Sequence, residues 1–169
     1  KGTGRWTAIE AQHLAAPVGV IEAAVAARNA SALLDERQTG EALFGPGPGA
    51  VTLPLEDLEG ALIAAKIICY AQGFEMLSRA SASFDWEMPL PDIARVWRAG
   101  CIIRSEMLND MAAALTEAPG RSLMHAPFFA ERLAASVPAL RRIVGIAMGG
   151  GHAVPALSAA LGHFDTSRS

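Results

Sequence analysis

The chain has 169 residues, a length that fits one domain with a substantial buried core. Hydrophobic residues make up 51% of it, charged residues make up 18%, and the formal net charge is −3. This charge argues against binding to nucleic acid or to an anionic membrane surface, because both need a basic surface. Lys66 interrupts the best apolar run, so none reaches the roughly 18 residues of a membrane span.

The high apolar content has two compatible explanations. It fits a helical bundle rich in alanine and leucine, and it also fits a large apolar face that meets a partner chain or a further domain. The two cysteines, Cys69 and Cys101, both lie in apolar helical context. They are interpreted as reduced residues of a cytoplasmic protein, and neither a disulfide nor a metal site is expected from them.

Helical periodicity runs through the chain, and strand patterns are nearly absent. After a glycine-rich opening at residues 1–6, Thr7 and Glu10 form a capping box that predicts the first helix. Pro17 opens a second helix, which is predicted to run to about Gln38. These signals predict an all-α fold, a bundle of about seven to eight helices around a buried central helix with no significant sheet.

Proline and glycine also delimit the next segments. The GPGPG sequence at 45–49 predicts a surface loop, and a long helix is predicted over about 54–79. After that helix the chain turns, and Phe84 and Trp86 are expected to plug the core. Residues 93–108 are apolar on nearly every side, so this segment is predicted to be the buried central helix.

The last third of the chain contains three prolines at predicted helix starts. Separate helices are expected to begin at Pro127, at Pro138 and at Pro155. The glycine run at 149–151 is expected to end the second of them.

Candidate functional residues are few and mostly cationic. The four histidines are scattered without metal-ligand spacing, and no nucleophile elbow or Walker loop occurs. Lys1, Thr3 and Arg28 together would suit a phosphate, because an arginine fork matches its oxygens, a lysine adds charge and a hydroxyl donates a hydrogen bond. The alternative for Arg28 is an arginine that extends to solvent or pairs with an acid.

Six stretches of the sequence together form a recognisable pattern. They are KGTGRWT at 1–7, ARNASALLDER at 27–37, KIICYAQGFEML at 66–77, IARVWRAGCIIRSEML at 93–108, a weaker APFFA at 126–130 and GHAVPALSAAL at 151–161. In this order they resemble the all-helical C-terminal domain of 6-phosphogluconate dehydrogenase. The resemblance covers almost the whole chain, and its first four stretches are specific.

The resemblance implies an NADP-dependent, cytoplasmic, homodimeric oxidoreductase. Such an enzyme converts 6-phosphogluconate to ribulose 5-phosphate and CO2 in the pentose phosphate pathway. By the KGTG motif, Lys1 and Thr3 are expected at the substrate phosphate, and Arg28 is expected there by the A-R-x-x-S-A-L motif. Trp97, Arg98 and Arg104 are expected to be mainly architectural.

The same resemblance implies that residues 1–169 are one domain of a longer enzyme. The family's catalytic lysine, asparagine and glutamate and its Rossmann-type NADP domain precede KGTG, and a C-terminal tail follows the last helix. The chain alone is therefore expected to hold no cofactor and to be inactive. One alternative is a free-standing, non-catalytic helical association module descended from this family, and another is a related β-hydroxyacid dehydrogenase.

Overall fold

The computed structural model describes residues 2–169, which form eight α-helices and contain no strand. This confirms the predicted all-α bundle of seven to eight helices. Lys1 lies outside the described residues. The helices are α1 (Thr3–His13), α2 (Gly19–Ser31), α3 (Leu34–Phe44), α4 (Leu55–Ser83), α5 (Leu90–Gly100), α6 (Met107–Glu117), α7 (Pro127–Gly149) and α8 (Pro155–Thr166), with a short 3-10 turn at Leu123–His125.

The buried central helix is α4, which packs most extensively against α7 and also contacts α2, α5 and α8. Gly60 allows the close approach of α7, because a Cβ on it would lie 2.8 Å from the Cβ of Ala139. The best 18-residue window of α4 has a mean hydropathy of 1.2, enough to suit a membrane span by length and composition, and 44% of that window is buried inside the bundle.

The prediction that 93–108 forms the central helix is wrong. Helix α5 ends at Gly100, and its one buried residue is Ala94. Val96 is 70% exposed and Ile102 is 99% exposed. The apolar run is divided among α5, the irregular segment 101–106 and the start of α6, so its side chains do not form the continuous buried surface of a single helix.

Phe84 and Trp86 do not plug the core. They lie just past the end of α4 and are exposed, with their rings stacked on each other at 4.8 Å. Asp85 and Glu87 have φ values of 53° and 48°, so the chain here turns through left-handed conformations. Because α4 extends to Ser83, both rings emerge beyond the end of the bundle's main helix.

Two helix boundaries differ from the sequence prediction. Helix α1 begins at Thr3, and the hydroxyl of Thr7 donates a hydrogen bond to the Thr3 carbonyl at 3.1 Å, as threonine often does inside a helix. The predicted second helix is divided into α2 and α3. The Ser31 hydroxyl donates to the carbonyl of Arg28 at 2.8 Å, and Leu33 leaves the helical conformation with ψ 74°.

Pro138 does not start a helix but lies inside α7. Val137, Ala139 and Leu140 are buried on either side of it, so the apolar face that packs on α4 continues past the proline. Pro138 itself is exposed, and the carbonyl four residues earlier therefore faces water rather than an apolar core. The predicted starts at Pro127 and Pro155 and the non-helical loop at 45–49 are confirmed.

Candidate functional site

The N-terminus of α1 is an open helix end beside a cavity. Thr3 is the first residue of α1, is exposed, and lines a cavity of about 710 Å³. Gly2 precedes it without a capping side chain, and the first turn carries no acidic residue. The first amides of a helix have no partner within the helix, and its dipole favours negative charge there. This end of α1 is therefore suited to an anion.

Arg28 lies in the last turn of α2 rather than in its middle, because the helix ends at Ser31. It is exposed, and one of its guanidinium nitrogens donates to the hydroxyl of Ser31 at 3.5 Å. Among residues 2–169 no carboxylate lies within 4 Å of this guanidinium. Its charge therefore remains available to an anion.

The contact between α1 and α2 connects these two residues. Gly4 packs so closely on Val25 that a Cβ on the glycine would lie 2.9 Å from the valine Cγ2. Arg28 follows Val25 by three residues, and residues three apart lie on the same side of a helix. The contact thus brings the helix end that carries Thr3 next to the side of α2 that carries Arg28. Arg28 is not among the residues that line the cavity.

The cavity contains two cations that were not predicted as site residues. Lys66 and Arg104 both line it and are exposed, and within the described part of the chain neither has a carboxylate within 4 Å. The remaining wall is largely apolar. It is formed by Thr7, Ile21, Cys69, Tyr70, Gly73, Met76, Leu77, Trp97, Ile102 and Ile103.

The sequence carried a usable signal for each of these cations. Lys66 is the one charged residue between Ala61 and Gly73, so its side chain is expected to lie outside the buried face of α4. Arg104 directly follows two isoleucines in the segment predicted to be the central helix. Arg104 lines the cavity and has no ion pair among residues 2–169, and its architectural role stays a prediction.

A short loop closes one side of the cavity. The hydroxyl of Tyr70 donates to the carbonyl of Ile103, which ties residues 101–106 to α4. Burial raises the pKa of Tyr70, and the neighbouring Cys101 and Cys69 raise it further. Burial also raises the pKa of Cys69. Both groups are therefore protonated at neutral pH, and the tyrosine remains a hydrogen-bond donor.

Trp97, by contrast, has an architectural contact. Its ring packs on Phe74 of α4 with the centroids 5.3 Å apart, and its carbonyl accepts a hydrogen bond from the Cys101 thiol at 3.2 Å. The tryptophan thus attaches the end of α5 to α4 and positions the start of the loop. Arg98 is exposed and has no ion pair among residues 2–169.

Behind the cavity wall lies Gln72, the one polar side chain in the core among the described residues. Its side-chain oxygen accepts a hydrogen bond from the amide of Val20 at 3.0 Å. Its side-chain nitrogen is buried and has no partner within residues 2–169. A buried unpaired donor costs about 1–3 kcal/mol, so this glutamine is less favourable than a fully satisfied core residue.

Metal-binding clusters are not found in the described part of the chain, where no three histidine, cysteine, aspartate or glutamate residues come together. The arrangement at the cavity is cationic, with hydroxyl groups and an apolar wall. Such an arrangement is chemically suited to an anionic ligand.

Comparison with known proteins identifies the family of this chain. The family model described as "6-phosphogluconate dehydrogenase, C-terminal domain" matches residues 1–169. The chain belongs to the 6-phosphogluconate dehydrogenase family. The resemblance seen in the sequence motifs is thereby confirmed over the whole length.

Curated relatives and a solved structure agree with this membership. The decarboxylating 6-phosphogluconate dehydrogenase 2 of Saccharomyces cerevisiae is 41% identical over 100% of this chain and 36% of its own length. The Treponema pallidum enzyme is 41% identical over 98% of this chain and 36% of its length. The Plasmodium falciparum 6-phosphogluconate dehydrogenase structure has a TM-score of 0.92 and 34% identity, over 100% of this chain and 38% of that one.

The chain therefore spans just over a third of the length of the relatives it matches. The Plasmodium falciparum protein is described in its apo form, with its cofactor NADP+ and with its substrate 6-phosphogluconate.

Proposed function

We propose that this chain is the substrate-phosphate-binding and dimer-forming part of an NADP-dependent, decarboxylating 6-phosphogluconate dehydrogenase. In this role Thr3 and Arg28, together with Lys1, bind the phosphate of 6-phosphogluconate. The longer protein oxidises and decarboxylates that substrate to ribulose 5-phosphate and CO2. The catalytic lysine, asparagine and glutamate belong to the part of the enzyme that precedes residue 1.

The observation that carries this proposal is the packing of Gly4 on Val25, which puts the open end of α1 beside the Arg28 side of α2. A phosphate at this corner would meet the Thr3 hydroxyl, the free amides of α1 and a planar guanidinium that has no carboxylate partner among residues 2–169. Lys66 and Arg104 add positive potential in the adjoining cavity, which favours a substrate that carries both a phosphate and a carboxylate.

NADP does not fit the described residues. A dinucleotide site of the Rossmann type needs a strand, a glycine-rich turn and a helix, and residues 2–169 contain no strand. We therefore assign NADP binding to the rest of the longer protein. No residue of this chain is given a part in hydride transfer.

Dimer formation is supported by apolar side chains that the bundle leaves uncovered. Helix α3 has no buried residue, yet Leu34 is 54% exposed, Leu43 is 71% exposed and Phe44 is 89% exposed. Large exposed apolar patches mark interaction surfaces. The partner that we propose for this surface is a second copy of the enzyme. We also propose a cytoplasmic location, where the two cysteines would remain reduced.

The phosphate proposal is tested by steady-state kinetics of the complete enzyme. Arg28→Ala should raise the KM for 6-phosphogluconate about ten- to a hundredfold, because a hydrogen bond to a charged group contributes about 1.5–3 kcal/mol. The KM for NADP should stay within about twofold. Arg95→Ala is the matched control, since Arg95 is exposed and paired with Asp92 at 2.5 Å. An unchanged KM for 6-phosphogluconate in Arg28→Ala would refute the assignment.

Two further measurements test the other parts of the proposal. The chain of residues 1–169 alone should not reduce NADP in the presence of 6-phosphogluconate, and measurable turnover would mean that the catalytic residues lie within it.

Sedimentation of the complete enzyme should give a dimer that Phe44→Glu weakens. Val96→Glu is the control, because Val96 is 70% exposed on α5. Equal sedimentation of both variants and the wild type would exclude α3 from the interface.

A further inference from the structure

The buried Gln72 has no direct role in the site described above. It is 1% exposed, lies in the middle of α4, and contacts α2 through the hydrogen bond to Val20. The residues around this bond, however, reach the cavity. Ile21 of α2 lines the cavity directly after Val20, and Gly73 of α4 lines it directly after Gln72. The hydrogen bond thus joins α2 to α4 immediately behind the cavity wall.

Helix α2 depends on this bond for its N-terminal cap. Its own N-cap residue, Val18, has no side chain that can accept a hydrogen bond, and none caps the helix. The amides of Ile21 and Glu22 both donate to the Val18 carbonyl, and the amide of Val20 donates to Gln72. A first-turn amide that is buried needs an acceptor, and here the acceptor comes from another helix, 52 residues away.

We propose that Gln72 is a positioning residue for substrate binding, which sets the orientation of α2 and through it the position of Arg28. The inference rests on the proposed function. It explains why the core retains a glutamine whose side-chain nitrogen is unpaired among residues 2–169. An apolar residue could fill the same volume but could not accept from Val20, so the beginning of α2 would lose its one polar attachment to α4 seen in the described chain.

The distance along α2 makes the site sensitive to this attachment. Arg28 follows Val20 by eight residues, which is roughly 12 Å of helix. A tilt of α2 by about 5° at Val20 would therefore move Arg28 by about 1 Å. A displacement of about 1 Å moves a hydrogen-bond donor out of the range of about 2.7–3.2 Å in which it bonds its acceptor, so Arg28 would lose much of its contact with the phosphate.

The test uses Gln72→Met in the complete enzyme, because methionine keeps the length of the side chain and removes the acceptor oxygen. We expect the KM for 6-phosphogluconate to rise about five- to fiftyfold, because part of a charged hydrogen bond is lost, while the KM for NADP changes less than about twofold. Amide hydrogen exchange of residues 19–22 should become faster. Ile68→Val is the control, since Ile68 is fully buried on the same helix but makes no polar contact with α2.

A double-variant cycle separates this inference from the proposed function. If Gln72 acts through Arg28, Gln72→Met should have little further effect on the KM in an Arg28→Ala background. If Arg28→Ala raises the KM and Gln72→Met does not, the positioning inference is overturned and the proposed function stands. If Arg28→Ala itself has no effect on the KM, the proposed role of Arg28 is overturned, and with it the inference that Gln72 acts through Arg28.

General loss of stability is a distinguishable outcome. If Gln72→Met and Ile68→Val raise both KM values to the same extent, Gln72 has only a structural role and the inference is overturned. Should Gln72→Met fail to fold, Gln72→Asn keeps an amide and withdraws its oxygen from Val20 by one methylene. The same rise in the KM for 6-phosphogluconate alone is expected of it, and no rise would overturn the inference.

Discussion

Replacing Gly60 with alanine tests how closely the two central helices are packed. Glycine inside a helix normally costs about 1 kcal/mol relative to alanine, so a glycine-to-alanine change at an open helical position should stabilise the chain. At Gly60 the added Cβ would lie 2.8 Å from the Cβ of Ala139 on α7. Ordinary contacts begin at 3.4 Å, so α4 and α7 would have to separate by roughly 0.6 Å.

The expected magnitude follows from these two opposing effects. Overpacking a well-packed core costs about 1–3 kcal/mol, which offsets or exceeds the gain of about 1 kcal/mol in helix propensity. Gly60→Ala should therefore lower the free energy of unfolding by up to about 2 kcal/mol. For a chain of this length that corresponds to a fall in Tm of up to about 4–8 °C.

Urea unfolding monitored by circular dichroism is the assay, with Gly145→Ala as the control. Gly145 lies in α7, is exposed, and a Cβ on it would meet nothing within 4 Å. That variant should be stabilised by about 0.4–1 kcal/mol. Adding Ala139→Gly to Gly60→Ala should restore part of the lost stability. If Gly60→Ala were as stabilising as Gly145→Ala, the close packing of α4 on α7 would be refuted.

Two further predictions concern titratable groups. Iodoacetamide should modify Cys69 more slowly at pH 8 than it modifies glutathione, because burial raises the pKa of this thiol and lowers its thiolate fraction, and an equal rate would contradict the burial. The hydrogen bond from Arg142 lowers the pKa of Asp57. The ion pair therefore stabilises the folded chain at pH values above the ordinary carboxyl pKa of about 3.9. This stabilisation is lost as the pH falls through the lowered pKa of Asp57. Acid unfolding of Asp57→Asn should therefore depend less steeply on pH below about 4, and an unchanged slope would exclude the ion pair as a cause.

The sequence predicted the helices whose ends are marked by strong local signals. Pro54 and Pro155 directly precede or begin α4 and α8, as expected, and the GPGPG loop is not helical. The helix start predicted at Pro138 is wrong because a proline can also lie inside a helix when the buried face of that helix continues past the proline. Only the packing of α7 on α4, which is a long-range property, decides between the two.

The error at 93–108 has a different cause. Hydrophobicity on all sides of a segment predicts burial only if the whole segment is one helix. Gly100 ends α5, and the next residues run along the edge of a cavity, so Ile102 and Ile103 are exposed. Apolar residues that line a cavity are of the same types as apolar residues in a core, and a sequence pattern does not distinguish them.

The candidate site was predictable only in part. Thr3 and Arg28 were predicted from motifs, and their relation depends on a glycine, Gly4, that no charge pattern would single out. Lys66 and Arg104 come from α4 and from the loop after α5, and nothing in their spacing indicates that they share a cavity. The roles of Thr3, Arg28 and Lys1 at the phosphate remain predictions.

The most direct measurement is a crystal structure of the complete enzyme with 6-phosphogluconate. We expect phosphate oxygens within about 3 Å of the Thr3 hydroxyl and of the Arg28 guanidinium, at the N-terminus of α1. A sugar phosphate bound with its phosphate away from both residues would contradict the central claim that this chain provides the phosphate site.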